Sequence, residues 1–326
     1  MLDHDVSAAR DHLSAGRHPA ATGGSRPWGG LDWGLAAPGR FRLTLPNMID
    51  RSRALLLLVC RITVFGMTIA PACAALSLAG CGGGPTAEEF MRSQREYELG
   101  VSLMREASLP QAFEHLLRAV ELDADNAEAH HVLGVLFTAR GDFAKAETHL
   151  ATAGRLAEDP AIESRPSLRA EIRNSHGVLL IHQHKLAEAI AELRAASADL
   201  LYTTPYLAWA NLGLAYIEKP DYPQAIAALE QAVRLQRDFC LGYLRLGQAY
   251  LATEDYTRAE AALTRVVEVD NQICNTTQEA WQMRGESRAR LGHRDDAAAD
   301  FERCVELGQE TAPGRACRTY LETIHN

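Results

Sequence analysis

Leu207-Ala208-Trp209-Ala210-Asn211-Leu212-Gly213-Leu214-Ala215-Tyr216-Ile217 is the stretch on which the fold turns. Trp209, Leu212, Gly213 and Tyr216 stand at i, i+3, i+4 and i+7, one face of a helix with 3.6 residues per turn. Lys219-Pro220-Asp221-Tyr222-Pro223 then breaks the helix, and Ala225, Leu229 and Ala232 form the facing stripe of a second one. Glycine and alanine on the facing stripes let two antiparallel helices approach closely, with no room for anything larger. A hairpin of this kind cannot bury its apolar face alone, so neighbours must stack on it.

The chain supplies those neighbours. A glycine preceded by a hydrophobe in a first helix, save in the third and sixth units, recurs at Gly100, Gly134, Gly177, Gly213, Gly247 and Gly285, with gaps of 34, 43, 36, 34 and 38. Twelve residues after each comes alanine: Ala112, Ala146, Ala189, Ala225, Ala259 and Ala297. Four further on stands a large hydrophobe: Leu116, Leu150, Leu193, Leu229, Leu263 and Phe301. Arg140-Gly141-Asp142 and Leu291-Gly292-His293 make turns like the one at Pro220.

These positions resemble the tetratricopeptide repeat, with Trp/Leu/Gly/Tyr in a first helix and Ala/Phe/Ala in a second; Trp209 and Trp281 occupy the tryptophan position. The resemblance spans roughly residues 93–310 and implies an all-α, right-handed superhelical solenoid of about six repeats. Cys317, Leu321 and Ile324, at i, i+4 and i+7, predict a C-terminal capping helix. Nine extra residues between units two and three contain Pro160 and Pro166 and predict a loop or a lengthened helix end. Four extra before unit six contain Cys274. His176 and Arg284 precede the glycine in units three and six, and Arg288 replaces the aromatic in unit six. The sixth unit is therefore expected to be looser, or an end unit facing more water.

The N-terminal part reads differently. Leu78-Ala79-Gly80-Cys81 ends an apolar run from Ile62 to Ala79 and reads as a lipobox, cut between Gly80 and Cys81 with the Cys81 thiol carrying acyl chains. Arg51, Arg53 and Arg61 supply the basic end of a signal peptide over 48–80 that starts at Met48. Residues 1–47, rich in Gly, Pro, Arg and His, read as a disordered upstream extension ahead of the true start. Residues 81–92 read as lipidated cysteine and tether, and 93–326 as the repeat domain with its cap.

Eight of the 33 basic and five of the 42 acidic residues lie at or before Cys81, leaving 25 against 37 and a net charge near −12. That balance argues against nucleic acid and against electrostatic docking on anionic lipid. Cys60 and Cys73 leave with the signal, so four cysteines remain: Cys240, Cys274, Cys304 and Cys317. An even number in an exported chain points to disulfides, with three possible connectivities. Cys304 lies at an inward position of the last second helix and Cys317 on the capping stripe, and a bridge between them would staple the cap. Cys240 opens unit five and Cys274 precedes unit six, so a second bridge would tie adjacent repeats.

No G-x-S-x-G, H-E-x-x-H, P-loop or C-x-x-C is present, so an enzyme, a cofactor, a metal and a small-molecule substrate are not expected. His176, His182 and His184 are close in sequence, but His182 and His184 do not share a helical face and read as solvated helix histidines. In this repeat family, first-helix positions two, five, nine and twelve point into the concave side, which would make a partner-binding groove. Those counted here are Tyr97, Val101 and Met104; His131 and Val135; Asn174, Val178 and Ile181; Leu207, Leu214 and Ile217; Leu241, Leu244 and Leu251. A groove so apolar suits an amphipathic helix or extended apolar segment of another protein. Repeat number, mature length, lipobox and late cysteines together resemble the type IV pilus pilotins, including the myxobacterial social-gliding type. That resemblance implies an outer-membrane lipoprotein on the periplasmic face whose partner is a secretin subunit and whose role is secretin assembly. An adaptor lipoprotein docking peptidoglycan hydrolases or an envelope assembly machine is the alternative.

Overall fold

The computed structural model describes residues 84–160, 164–269 and 272–325 of the 326-residue chain. The expected upstream extension, signal peptide, lipobox with Cys81 and first residues of the tether lie outside the described residues. Fourteen helices and no strand occur among the described residues. Helix α1 (Ala87–Arg105) and α2 (Leu109–Leu122) form unit one, α3 (Ala127–Ala139) and α4 (Phe143–Glu158) unit two, and α5 (Leu168–His182) and α6 (Leu186–Ala198) unit three. Unit four is α7 (Pro205–Glu218) with α8 (Tyr222–Leu235), and unit five is α9 (Cys240–Ala252) with α10 (Tyr256–Glu268). A single-turn α11 (Gln272–Asn275) precedes unit six, α12 (Gln278–Leu291) with α13 (Arg294–Leu307), and α14 (Ala312–His325) closes the stack. The fold is an all-α tetratricopeptide-type solenoid.

The helices begin where local chemistry starts them. At the head of α1, Thr86 Oγ1 accepts from Glu89 N at 3.2 Å while Glu89 Oε2 accepts from Thr86 N at 2.8 Å, a reciprocal cap. Residues 87–92, expected as the end of a tether, are therefore helical. Between units two and three the lengthened helix end occurs: α4 runs for 16 residues against 13 in α6, and the stretch between Pro160 and Pro166 includes residues outside those described.

The periodic glycines face the periodic hydrophobes. A methyl group placed on Gly100, Gly134, Gly177, Gly213, Gly247 or Gly285 would come within 2.7 Å of Leu116, Leu150, Leu193, Leu229, Leu263 or Phe301 respectively. Those six large side chains are 2 % exposed or less, and the six alanines of the second helices are fully buried. Each hairpin is thus closed by a large side chain seated on bare backbone. Seven residues beyond the glycine, at Ala107, Gly141, His184, Glu254 and Gly292, φ lies between 56° and 85°, so five of the six units turn from first to second helix through the left-handed region.

Successive first helices pack on one another, α1 on α3, α3 on α5, α5 on α7, α7 on α9 and α9 on α12, whereas successive second helices share no comparable interface. In a curved stack the elements that crowd together lie on the inside, so the first helices form the inner row.

Unit six departs from expectation. Arg284 is 7 % exposed and grips Asp300, itself 2 % exposed, through Nε to Oδ2 at 2.9 Å and Nη2 to Oδ1 at 2.6 Å. Arg288 donates Nη1 to Asp300 Oδ2 at 3.0 Å and Nε to Glu260 Oε1 of unit five at 2.9 Å. The unit is not loose, although α12 buries fewer residues than the first helices of units two to five. Arg284 is buried and Arg288 half-buried because a carboxylate on the facing helix and another in the preceding unit neutralise them.

The cap is tied on three ways. Tyr320 of α14 stacks on Phe301 with centroids 4.7 Å apart. Gln278 Nε2 donates to Cys304 O at 2.6 Å and Gly308 O at 2.8 Å, while its Oε1 accepts from Thr311 Oγ1 at 2.7 Å. A disulfide joins Cys304 to Cys317, and a second joins Cys240 at the start of α9 to Cys274 in α11.

Candidate functional site

The inner row carries all fourteen side chains counted as groove positions, and none of them is exposed. Val101, His131, Val135, Ile181, Leu207 and Ile217 are buried; Tyr97, Met104, Asn174, Val178, Leu214, Leu241, Leu244 and Leu251 are half-buried. The apolar ones pack into the core. Tyr97, Val101 and Met104 lie against Val132, Leu133 and Phe137. Leu214, Leu241 and Leu251 lie against the cluster that buries Ile181, Leu207 and Ile217. Close packing between successive first helices covers much of each of these side chains. The row is accordingly not one continuous apolar channel but a row of half-buried side chains interrupted by polar groups.

Two polar clusters interrupt it. In the first, Glu128 and Glu171 hold position two of units two and three, and Arg165 reaches in from the segment that precedes α5. Arg165 Nη1 and Nη2 donate to Glu171 Oε1 and Oε2 at 3.1 and 3.0 Å, and Ser167 Oγ donates to Oε1 at 2.7 Å. Arg165 Nε stands 3.9 Å from Glu128 Oε1. Burial pushes the neighbouring Tyr97 phenol up to about 12, against the opposing pull of Arg165, so it stays neutral. Burial also depresses the His131 imidazole to about 4. Its Nε2 meets Ser175 Oγ at 2.8 Å, and its Nδ1 is buried without a protein partner.

The second cluster spans units three to five. Asn211 Nδ2 donates to Asn174 Oδ1 at 3.0 Å, and Arg245 Nη1 donates to Ala210 O and Asn211 Oδ1, both at 3.2 Å. Burial lowers the Arg245 guanidinium to about 10, which leaves it charged at neutral pH. These groups align side-chain donors and acceptors across three successive repeats.

Counting apolar positions found His131 and Asn174 but passed over Glu128, Glu171, Asn211 and Arg245. The same count puts Glu128 and Glu171 at position two, so the signal was present for both. Arg165 had none, because it lies in the extra residues outside the repeat register. His176 stands 3.3 Å from Glu147 and 3.8 Å from Glu192 through its two ring nitrogens, while His182 stacks on Phe143 at 6.0 Å.

The tetratricopeptide repeat family profile matches residues 97–160, 175–238, 210–275 and 244–314. The type IV pilus assembly protein PilF of Pseudomonas aeruginosa is 30% identical over 141 residues, 43% of this chain and 52% of PilF, so the match spans about half that relative's length. The solved structure of Pseudomonas aeruginosa PilF superposes with a TM-score of 0.59 at 23% identity, over 72% of this chain and 99% of that one. PilW, described as a widely conserved type IV pilus biogenesis factor, superposes with a TM-score of 0.58 at 20% identity, over 72% and 98%. With its family profile matched across most of the described residues, the chain belongs to the tetratricopeptide-repeat family.

Proposed function

We propose that this chain is a lipid-anchored pilotin of type IV pilus biogenesis, held at the periplasmic face of the outer membrane by acyl chains on Cys81. In this reading its inner row holds a segment of the secretin subunit until the subunits assemble. The observation that carries it is the similarity to PilF over 141 residues, combined with near-complete superposition of the PilF and PilW structures. The two disulfides support export, since such bonds persist in oxidising compartments. The polar groups of the inner row support recognition of a polypeptide backbone and its charged side chains, as well as of an apolar face. The protein holds a partner and catalyses no step.

Deletion of the gene tests this. Loss of surface pili together with loss of heat- and detergent-stable secretin multimers is expected, with secretin monomer still synthesised. Normal multimers in the deletion strain would contradict the reading. A Cys81→Ser form that assembles multimers at the wild-type level would contradict the lipid anchor.

A further inference from the structure

The first polar cluster holds more acid than base. Glu171 is 3 % exposed and Glu128 is half-buried, and both stand at position two of adjacent repeats. At position two, units four and five have Leu207 and Leu241 and unit one has Gln94; unit six has Glu279, with no acid at position two of the unit before it. The paired carboxylates therefore occur only at the junction where the repeat spacing stretches to 43. Their cation comes from that stretched segment: Arg165 approaches from outside the repeat register and remains about one-third exposed. Its contacts use two of the guanidinium nitrogens on Glu171, while Glu128 stays 3.9 Å from Nε. Beside them, His131 Nδ1 is buried and unsatisfied. Its Nε2 is taken up by Ser175 Oγ at 2.8 Å, and Arg165 does not reach the Nδ1. Two carboxylates and a phenol, with an unpartnered imidazole nitrogen beside them, are a set suited to a planar cation with several N–H donors.

We propose that Glu128 and Glu171 form a recognition site for an arginine side chain of the bound partner segment, and that Arg165 fills this site from within the free protein. The inference rests on the reading of the inner row as the binding face, and it names the chemistry recognised at one end of it. Arg165 acts as an intramolecular competitor at high effective concentration. The partner's arginine must displace it, which lowers the apparent affinity by the fraction of molecules in which the site is vacated. A buried carboxylate such as Glu171 does not tolerate standing unpaired. The exchange is therefore one guanidinium for another, and neutral or acidic side chains are rejected at this position.

L-argininamide and its neutral isostere L-citrullinamide are the probes, with the purified full chain and thermal unfolding as the readout. In Arg165→Ala, argininamide at millimolar concentration is expected to raise Tm while citrullinamide does not. The wild type should require at least about ten times more argininamide for the same shift, because Arg165 already occupies the site. The double variant Arg165→Ala/Glu171→Gln should not respond. If Arg165→Ala is unfolded in buffer, argininamide should restore its helical circular dichroism. The proposal is overturned if neither rescue nor a Tm shift occurs in Arg165→Ala. It is equally overturned if citrullinamide acts as well as argininamide, or if the double variant responds like the single one. None of these readouts involves pilus assembly, so the fate of this site and that of the pilotin reading are separately decided.

Discussion

Arg284 and Asp300 face each other across the two helices of unit six, paired through two hydrogen bonds of 2.9 and 2.6 Å with both side chains under 10 % exposed. Asp300 also receives Arg288, which in turn ties to Glu260 of unit five. A carboxylate so placed holds one buried and one half-buried cation at once. Asp300→Ala is expected to lower stability by about 3–5 kcal/mol, because it strands Arg284. Removing the exposed pair Arg303–Glu306 should change little. Urea unfolding of both variants checks the contrast. Equal effects would mean that the buried network contributes no more than a surface ion pair.

The close approach of paired helices predicts the cost of one methyl group. Gly213→Ala drives a Cβ into the fully buried Leu229 side chain and is expected to cost about 1–3 kcal/mol. Gly154→Ala on α4 meets nothing closer than Ile172 at 3.9 Å and should be neutral, or stabilise by about 0.5–1 kcal/mol through helix propensity. Chemical denaturation of the pair separates the packing effect from propensity.

This pairing was legible in the sequence because the twelve- and sixteen-residue offsets repeat without exception, so glycine, alanine and leucine could be set facing one another before any coordinates. The ion network of unit six was not. Arg284 and Arg288 look like solvent residues until Asp300, on another helix, and Glu260, in another repeat, are brought to them by the stacking. The inner row was half legible. Position counting reached Glu128 and Glu171, but an expectation of apolar surface hid them, and Arg165 belongs to a segment with no periodic register at all.

The shared turn conformation predicts stabilising changes. Glu254 has φ of 58° at the position where units two and six carry Gly141 and Gly292. Side chains other than glycine cost roughly 1–2 kcal/mol in this region. Glu254→Gly is expected to raise stability by several tenths of a kcal/mol to about 1 kcal/mol, after the larger unfolded-state entropy of glycine is allowed for. Gly141→Ala should lower stability by about 1 kcal/mol. A fall in Tm for Glu254→Gly would show that Glu254 makes a compensating interaction.

Stability should fall in mild acid. Burial holds the His131 imidazole near 4 in the folded chain, below its ordinary 6.5. Between those values the unfolded chain binds the proton and the folded chain does not, so stability is constant above about pH 6.5 and declines toward pH 4. His149, also depressed to about 4 by burial and by the facing His130, adds a smaller decline in the same window because it is only half-buried. Replacing His131 by Gln should flatten the profile between pH 6.5 and 4. An unchanged slope would place the titrating group elsewhere.

The cap staple is testable by reduction. The Cys304–Cys317 bond closes a loop with a sequence separation of 13. Its loss through Cys317→Ser is expected to cost about 3 kcal/mol and to loosen α14 first, seen as fast amide exchange confined to the C-terminal helix. Exchange spreading uniformly through all six units would instead show that the cap is required for the whole stack.

The central claim is that the inner row holds the secretin. A photo-crosslinking residue placed at Asn174 or Leu244 on that row, and in a control at the exposed Gln224 of α8, tests it in living cells. Crosslinks to secretin from the two inner positions and none from Gln224 are predicted. Secretin captured from Gln224 alone, or from no position while the crosslinkable protein still supports pili, would contradict it.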